Sequence, residues 1–108
     1  NMKNKNYITN IDEGACVEIP VVATKKGISP IKQITLPQHL AVFISHSSKI
    51  EELAVQAAID GDPEKVFQAI LFDPLTASVC SMEEIHKMVQ EMLAKNKEYL
   101  SYFNSLVI

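Results

Sequence analysis

The sequence predicts an α+β fold, with a β-hairpin (or small antiparallel sheet) near residues 15–34 packed on a mainly helical layer. Three observations predict it. From Ala15 to Ile19 the chain alternates, with Ala15, Val17 and Ile19 on one side and Cys16 and Glu18 on the other. Leu40, Phe43, Ile44, Ile50, Leu53, Ala54, Ala57 and Ala58 recur mostly three or four apart, the period of one helix face. Helix stop and start signals then stand at Gly61-Asp62-Pro63 and at Ser81-Met82-Glu83-Glu84.

Taken in order, residues 1–12 are polar and Asn-rich and read as a flexible arm or linker, with the folded part at 13–108. Asn1 ahead of Met2 reads as a remnant before a start. The strand that begins at Ala15 is confined to an edge or a bulge at Pro20, which cannot donate to a ladder. Thr24-Lys25-Lys26-Gly27 is a turn, and Ile28–Ile34 is a second extended segment broken by Pro30. Pro37 suits the first turn of a helix over 37–60, in which the poor helix formers His46-Ser47-Ser48 mark a kink or a break. Gly61 ends that helix through a left-handed cap, and Asp62 caps the next, over 63–72. Val66, Phe67, Ile70 and Leu71 form its apolar stripe, and Asp73-Pro74 stops it. A short helical turn follows at 75–80. Ser81 and Glu84 form a capping box for a third main helix over 82–98, with Ile85, Met88, Val89, Met92 and Leu93 on one face. Tyr99, Leu100, Tyr102 and Phe103 form an aromatic cluster that folds back onto the helices.

With 108 residues the chain is at most one small domain. A formal charge of −3 with dispersed lysines argues against nucleic acid, whose phosphates need clustered basic residues. No apolar run approaches the ~20 residues that span a bilayer, and MKNKNY lacks the apolar segment of a signal peptide, so a cytoplasmic protein is expected. Cys16 and Cys80 read as two buried thiols.

The residues form no self-sufficient catalytic, cofactor-binding or metal-binding set, and no site residue is assigned. His39, His46 and His86 read as surface or capping residues. Glu51-Glu52 and Glu83-Glu84 are adjacent on helices, do not face each other, and read as solvated or first-turn charges. The three glycines, at 14, 27 and 61, make no phosphate loop.

Certain segments nevertheless occur in a particular order: Val17-Glu18-Ile19-Pro20, Gly27-Ile28-Ser29-Pro30, Leu36-Pro37, Glu52-Leu53-Ala54-Val55-Gln56-Ala57-Ala58, Gly61-Asp62 and Asp73-Pro74-Leu75-Thr76. This set resembles the C-terminal end of glycoside hydrolase family four over roughly residues 10–103. The last segment, followed by Ser81-Met82-Glu83-Glu84-Ile85, is closer to the α-galactosidase and α-glucosidase branch. The resemblance implies a lactate/malate-dehydrogenase-like parent that uses NAD and Mn²⁺ and cleaves O-glycosyl bonds by oxidation, elimination, addition and reduction. That chemistry departs from two-carboxylate hydrolysis. The family's dinucleotide loop, metal ligands and catalytic tyrosine lie upstream of the matching region. Cys16 does not stand in the metal-ligand motif, nor Tyr7, Tyr99 or Tyr102 in the catalytic-base motif. The implied function is a structural or oligomerisation part of such a glycosidase, inactive by itself. It would associate as a homo-oligomer or with the N-terminal Rossmann part of the parent. The alternative is a stand-alone binding or regulatory module that pairs with another subunit. Asp73 is read as a helix cap in preference to a residue of the parent's substrate cleft.

Overall fold

A computed structural model describes residues 1–108. The α+β class holds, with four strands and four helices, but the chain gathers around two cores. It divides into compact units Asn1–Lys49 and Ile50–Ile108.

In the first unit β1 (Met2–Lys3) pairs antiparallel with β2 (Cys16–Val17), Met2 opposite Val17. A separate hairpin joins β3 (Val21–Thr24) to β4 (Gly27–Pro30), Val21 opposite Pro30 and Thr24 opposite Gly27. The expected single hairpin over 15–34 is therefore split. The alternation from Ala15 to Ile19 is real, with Ala15, Val17 and Ile19 buried and Cys16 and Glu18 exposed, but its partner is the N-terminal strand. Pro20 separates the two strands. The lysine turn falls at Lys25-Lys26, where glycine follows at φ 119°. Every residue of β3 is exposed, and in β4 only Pro30 is partly covered, so the hairpin is not laid face-down on a helical layer.

Residues 1–12, expected as a flexible arm, are built into this unit. Ile8 and Ile11 join Ala15, Val17, Ile19 and Ala41 in its core. Tyr7 to Asn10 run beside Ile34 to Leu36: Ile34 N–H donates to Tyr7 O (2.8 Å), and Thr9 N–H to Ile34 O (2.9 Å). The Asn10 side chain both donates to Leu36 O and accepts from Leu36 N–H. The polar composition misleads because Asn4 is fully buried and spends its amide on backbone groups rather than on water.

Helix α1 (Gln38–Asp60) runs through His46-Ser47-Ser48 without interruption. Its predicted stripe is the least accurate expectation. In the second unit Ala57 is buried, Ile50 and Leu53 are half-buried and Ala54 and Ala58 are exposed; in the first, Leu40, Phe43 and Ile44 are exposed. In the first unit the buried α1 residue is Ala41, which the stripe omits. Periodicity identifies the helix but not the face its neighbours cover.

The second unit packs α2 (Pro63–Leu71) on α4 (Met82–Lys95), with the short α3 (Pro74–Val79) between them in sequence. Ile85, Val89 and Leu93, four apart, are the buried face of α4. Each such side chain is worth about 1.5–3 kcal/mol of apolar burial, so this stripe rather than intrinsic propensity holds the helix. Val66, Phe67, Ile70 and Leu71 pack against it, as do Leu100, Phe103, Leu106 and Ile108 from the C-terminal segment. Leu100 and Phe103 thus fold back as expected, whereas Tyr99 and Tyr102 remain exposed.

The helix starts match the sequence signals. The Asp62 carboxylate accepts from Glu64 N–H (3.0 Å) and Lys65 N–H (3.4 Å). At α4 the capping box is complete: Glu84 N–H donates to Ser81 Oγ (3.3 Å), and Ser81 N–H to Glu84 Oε2 (2.7 Å). That backbone N–H, then the Ser81 hydroxyl, and less strongly the Lys87 charge, hold the Glu84 carboxyl below its ordinary value near 4.5. A lowered pKa in the folded state adds stability that is complete above the unfolded value and lost as pH falls through the folded one. Loss of the N-cap in Ser81→Ala should cost about 1 kcal/mol at pH 7. The difference from the parent chain should shrink below pH 4.5. Urea melts at pH 7 and pH 3 measure both; a penalty equal at the two values would mean that the Ser81 hydroxyl does not act through the Glu84 carboxylate.

Candidate functional site

The C-terminal segment, turning back over α2 and α4, leaves an apolar groove of about 350 Å³ in the second unit. Val66 and Ile70 of α2, Met92 of α4 and Leu100 and Phe103 of the returning segment line it. Its polar margin is Asn96, whose amide donates to Met92 O (2.8 Å), and Tyr99. Such a lining accommodates apolar side chains, and its one titratable group is the Tyr99 hydroxyl at the margin.

The polar residues singled out in the sequence are not brought together. His86 touches the C-terminal segment at Ile108 O (3.1 Å) and meets Phe67 edge to face, ring centres 5.5 Å apart. It thus fastens the chain end onto α4. His39 and His46 are exposed on α1. Glu83 pairs with Lys87 (2.9 Å), Glu84 caps α4, and Glu51 and Glu52 are exposed. Lys65 pairs with Asp60, which raises its ammonium pKa above the ordinary value, and lies 4.0 Å from Asp62. No group of three or more His, Cys, Asp or Glu side chains is placed to hold a metal ion, so the residues present do not fit Mn²⁺.

Asp73 is the N-cap of α3. Its carboxylate accepts from Thr76 N–H (2.8 Å) and Thr76 Oγ1 (2.7 Å), so the capping reading of Asp73-Pro74-Leu75-Thr76 is the one observed. Both cysteines are free, and Cys16 is exposed rather than buried because it lies on the outer side of the alternating strand. No helix is long and apolar enough to cross a membrane.

The sequence reading missed two features. One is the buried Asn4, for which a lone asparagine gives no signal. The other is the uncovered apolar surface of α1 at Leu40, Val42, Phe43, Val55 and Ile59; Val22, Ile28 and Ile31 on and beside the hairpin are exposed as well.

Comparison with known proteins adds what this geometry lacks. A family model described as the family 4 glycosyl hydrolase C-terminal domain matches residues 1–76. The chain is 35% identical over 103 residues to an α-galactosidase of Rhizobium meliloti, covering 95% of this chain and 21% of that protein. It is 32% identical over 100 residues to an α-galactosidase of Bacillus subtilis, covering 93% and 23%. It is 30% identical over 98 residues to a maltose-6'-phosphate glucosidase of Fusobacterium mortiferum, covering 91% and 22%. The chain thus spans about a fifth of the length of the relatives it matches. No solved structure matches it significantly.

Proposed function

This chain belongs to the family 4 glycosyl hydrolase C-terminal domains, and from that premise we propose that it is the C-terminal structural part of an NAD- and Mn²⁺-dependent glycosidase of the α-galactosidase type, inactive by itself. The observation that carries the reading is the disproportion of the matches: almost all of this chain aligns, but with only about a fifth of each glycosidase. On this reading the dinucleotide, the metal and the catalytic base belong to the other four-fifths. The chain's own part is packing.

The first half of α1 supports that part. From Gln38 to Ser48 it carries no Lys, Arg, Asp or Glu, and it exposes Leu40, Val42, Phe43 and Ile44. Exposed apolar patches beyond a few hundred Å² mark contact sites. We assign this half to contact with the remainder of the glycosidase.

The test is reconstitution. The chain is mixed with a separately expressed N-terminal part of a family 4 α-galactosidase, in the presence of NAD and Mn²⁺, and p-nitrophenyl α-galactoside turnover is followed. Neither part alone should turn over substrate, and the mixture should. Phe43→Glu should lower the apparent affinity of the parts at least ~tenfold, since it places a charge in an apolar contact. Turnover by this chain alone, stoichiometric NAD binding to it in calorimetry, or a mixture that stays inactive would overturn the reading.

A further inference from the structure

The β3–β4 hairpin is a sheet of two strands with no third neighbour on either side. Its register fixes where the backbone groups point. Ile31 N–H donates to Pro20 O (3.1 Å), so Pro20 and Ile31 form a hydrogen-bonded pair. Bonded and non-bonded pairs alternate along an antiparallel ladder. Val22–Ser29 and Thr24–Gly27 are therefore the bonded pairs, and Val21–Pro30 and Ala23–Ile28 the non-bonded ones. Pro30 suits this placement, since it has no N–H to give to the ladder.

At the non-bonded pairs the N–H and C=O groups point away from the partner strand. On β3 these are the N–H and C=O of Val21 and of Ala23, and none of them is hydrogen-bonded within the chain. The two edges are not equal. Pro30 removes a donor from the outer edge of β4, and Lys32 follows it. Proline and lysine are what edge strands carry to prevent pairing. β3 carries neither: Val21-Val22-Ala23-Thr24 has no charge and no proline, and every one of its residues is exposed. Val21 and Ala23 share one face of the ribbon with Ile28, which lies opposite Ala23. A further strand thus meets an unpaired ladder and apolar side chains to lie beside.

We infer that the outer edge of β3 takes a third strand: an extended segment, with alternate apolar residues on the side of Val21 and Ala23, from the part of a family 4 glycosidase that this chain does not span. Only 21% and 23% of the two α-galactosidases align with this chain, so most of such a protein remains to supply it. Main-chain hydrogen bonds give a contact of this kind its affinity. Each outward group of Val21 and Ala23 gains a partner. The two-stranded hairpin, marginal in water by itself, becomes part of a three-stranded sheet. The inference rests on the glycosidase reading and adds to it a backbone contact, distinct from the side-chain contact assigned to the first half of α1.

Amide hydrogen exchange of the full chain, read residue by residue by NMR, alone and with the separately expressed N-terminal part, tests it. Alone, the Val21 and Ala23 amides should exchange faster than those of Val22 and Thr24, which are bonded to β4. In the mixture they should slow at least ~tenfold. Ala23→Pro deletes one outward N–H and leaves the bonded pairs of the hairpin in place. It should raise the dissociation constant of the two parts about tenfold or more. Ala23→Thr keeps that N–H and should bind within about twofold of the unsubstituted chain. Exchange at Val22 and Thr24 checks that the Ala23→Pro hairpin still forms; if it does not, protection in the unsubstituted chain decides. Parts that associate while Val21 and Ala23 stay fast, or that bind a folded Ala23→Pro chain as tightly as the unsubstituted one, overturn the third strand and leave the glycosidase reading standing. Parts that never associate overturn both. Slowing of Val21 and Ala23 in the chain alone as its concentration rises would give the edge to a second copy and also overturn the inference.

Discussion

Asn4→Leu is expected to abolish the cooperative fold of residues 1–49. Asn4 is fully buried, and its amide nitrogen donates to Ile8 O (3.0 Å), Ile11 O (2.9 Å) and Asp12 O (3.2 Å). Its carbonyl accepts from Tyr7 N–H (2.9 Å) and Ile8 N–H (3.1 Å). One side chain thus satisfies backbone groups of Tyr7, Ile8, Ile11 and Asp12. Leucine has nearly the same volume but leaves those groups without partners. A buried polar group left unpaired costs about 1–3 kcal/mol, and several fail together, so a loss of about 3–5 kcal/mol is expected. Total stabilities of 5–15 kcal/mol leave little after that. Amide exchange at Ile8 and a urea melt read the effect. Asn4→Asp is the sharper comparison. It keeps the size and the acceptor but turns an oxygen towards three carbonyls, so it should be no better tolerated than leucine at pH 7. If Asn4→Asp melts like the parent chain, the hydrogen bonds at Asn4 are not what holds the turn.

Gly61→Ala should be the next most damaging change, at about 2–4 kcal/mol. Two penalties combine. Gly61 sits at φ 63°, a left-handed conformation that costs an L-residue roughly 1–2 kcal/mol. A Cβ there would also stand 2.9 Å from Tyr102 O and 3.0 Å from Phe103 Cα, both backbone atoms that cannot rotate away. The C-terminal segment passes this close because Asn104 N–H donates to Gly61 O (3.1 Å) and the Asn104 side chain to Asp60 O (3.3 Å). Gly61→Asn separates the two penalties. Asparagine tolerates the left-handed region but still carries a Cβ. If the close approach dominates, Gly61→Asn should melt about as low as Gly61→Ala; near-parental stability would assign the loss to φ alone.

The sequence was most informative where structure is local. The caps at Asp62, Asp73 and Ser81 are each a side chain and an N–H two or three residues apart, so the pattern contains the interaction. The function was legible only as an ordered resemblance. Its motif residues Pro20, Gly27, Pro30, Gly61 and Asp62 do backbone work, and no catalytic geometry follows from them. The groove beside Met92 left no trace in the pattern, because it forms where the 97–103 segment returns over α2 and α4.

By itself, then, the sequence determined the α+β class, the alternating strand at Ala15–Ile19, the starts of three main helices and the short helical turn between the last two, and membership of a glycosidase family. Tertiary structure alone decided that β2 pairs with the N-terminal strand, that residues 1–12 belong to a core, and which side chains of α1 are covered. Hydrophobic periodicity records that a face is apolar, but burial depends on what lies opposite. On α1, Ala41 faces the first core, whereas Leu40, Val42, Phe43 and Ile44 stand exposed although the helix has the spacing of a core helix.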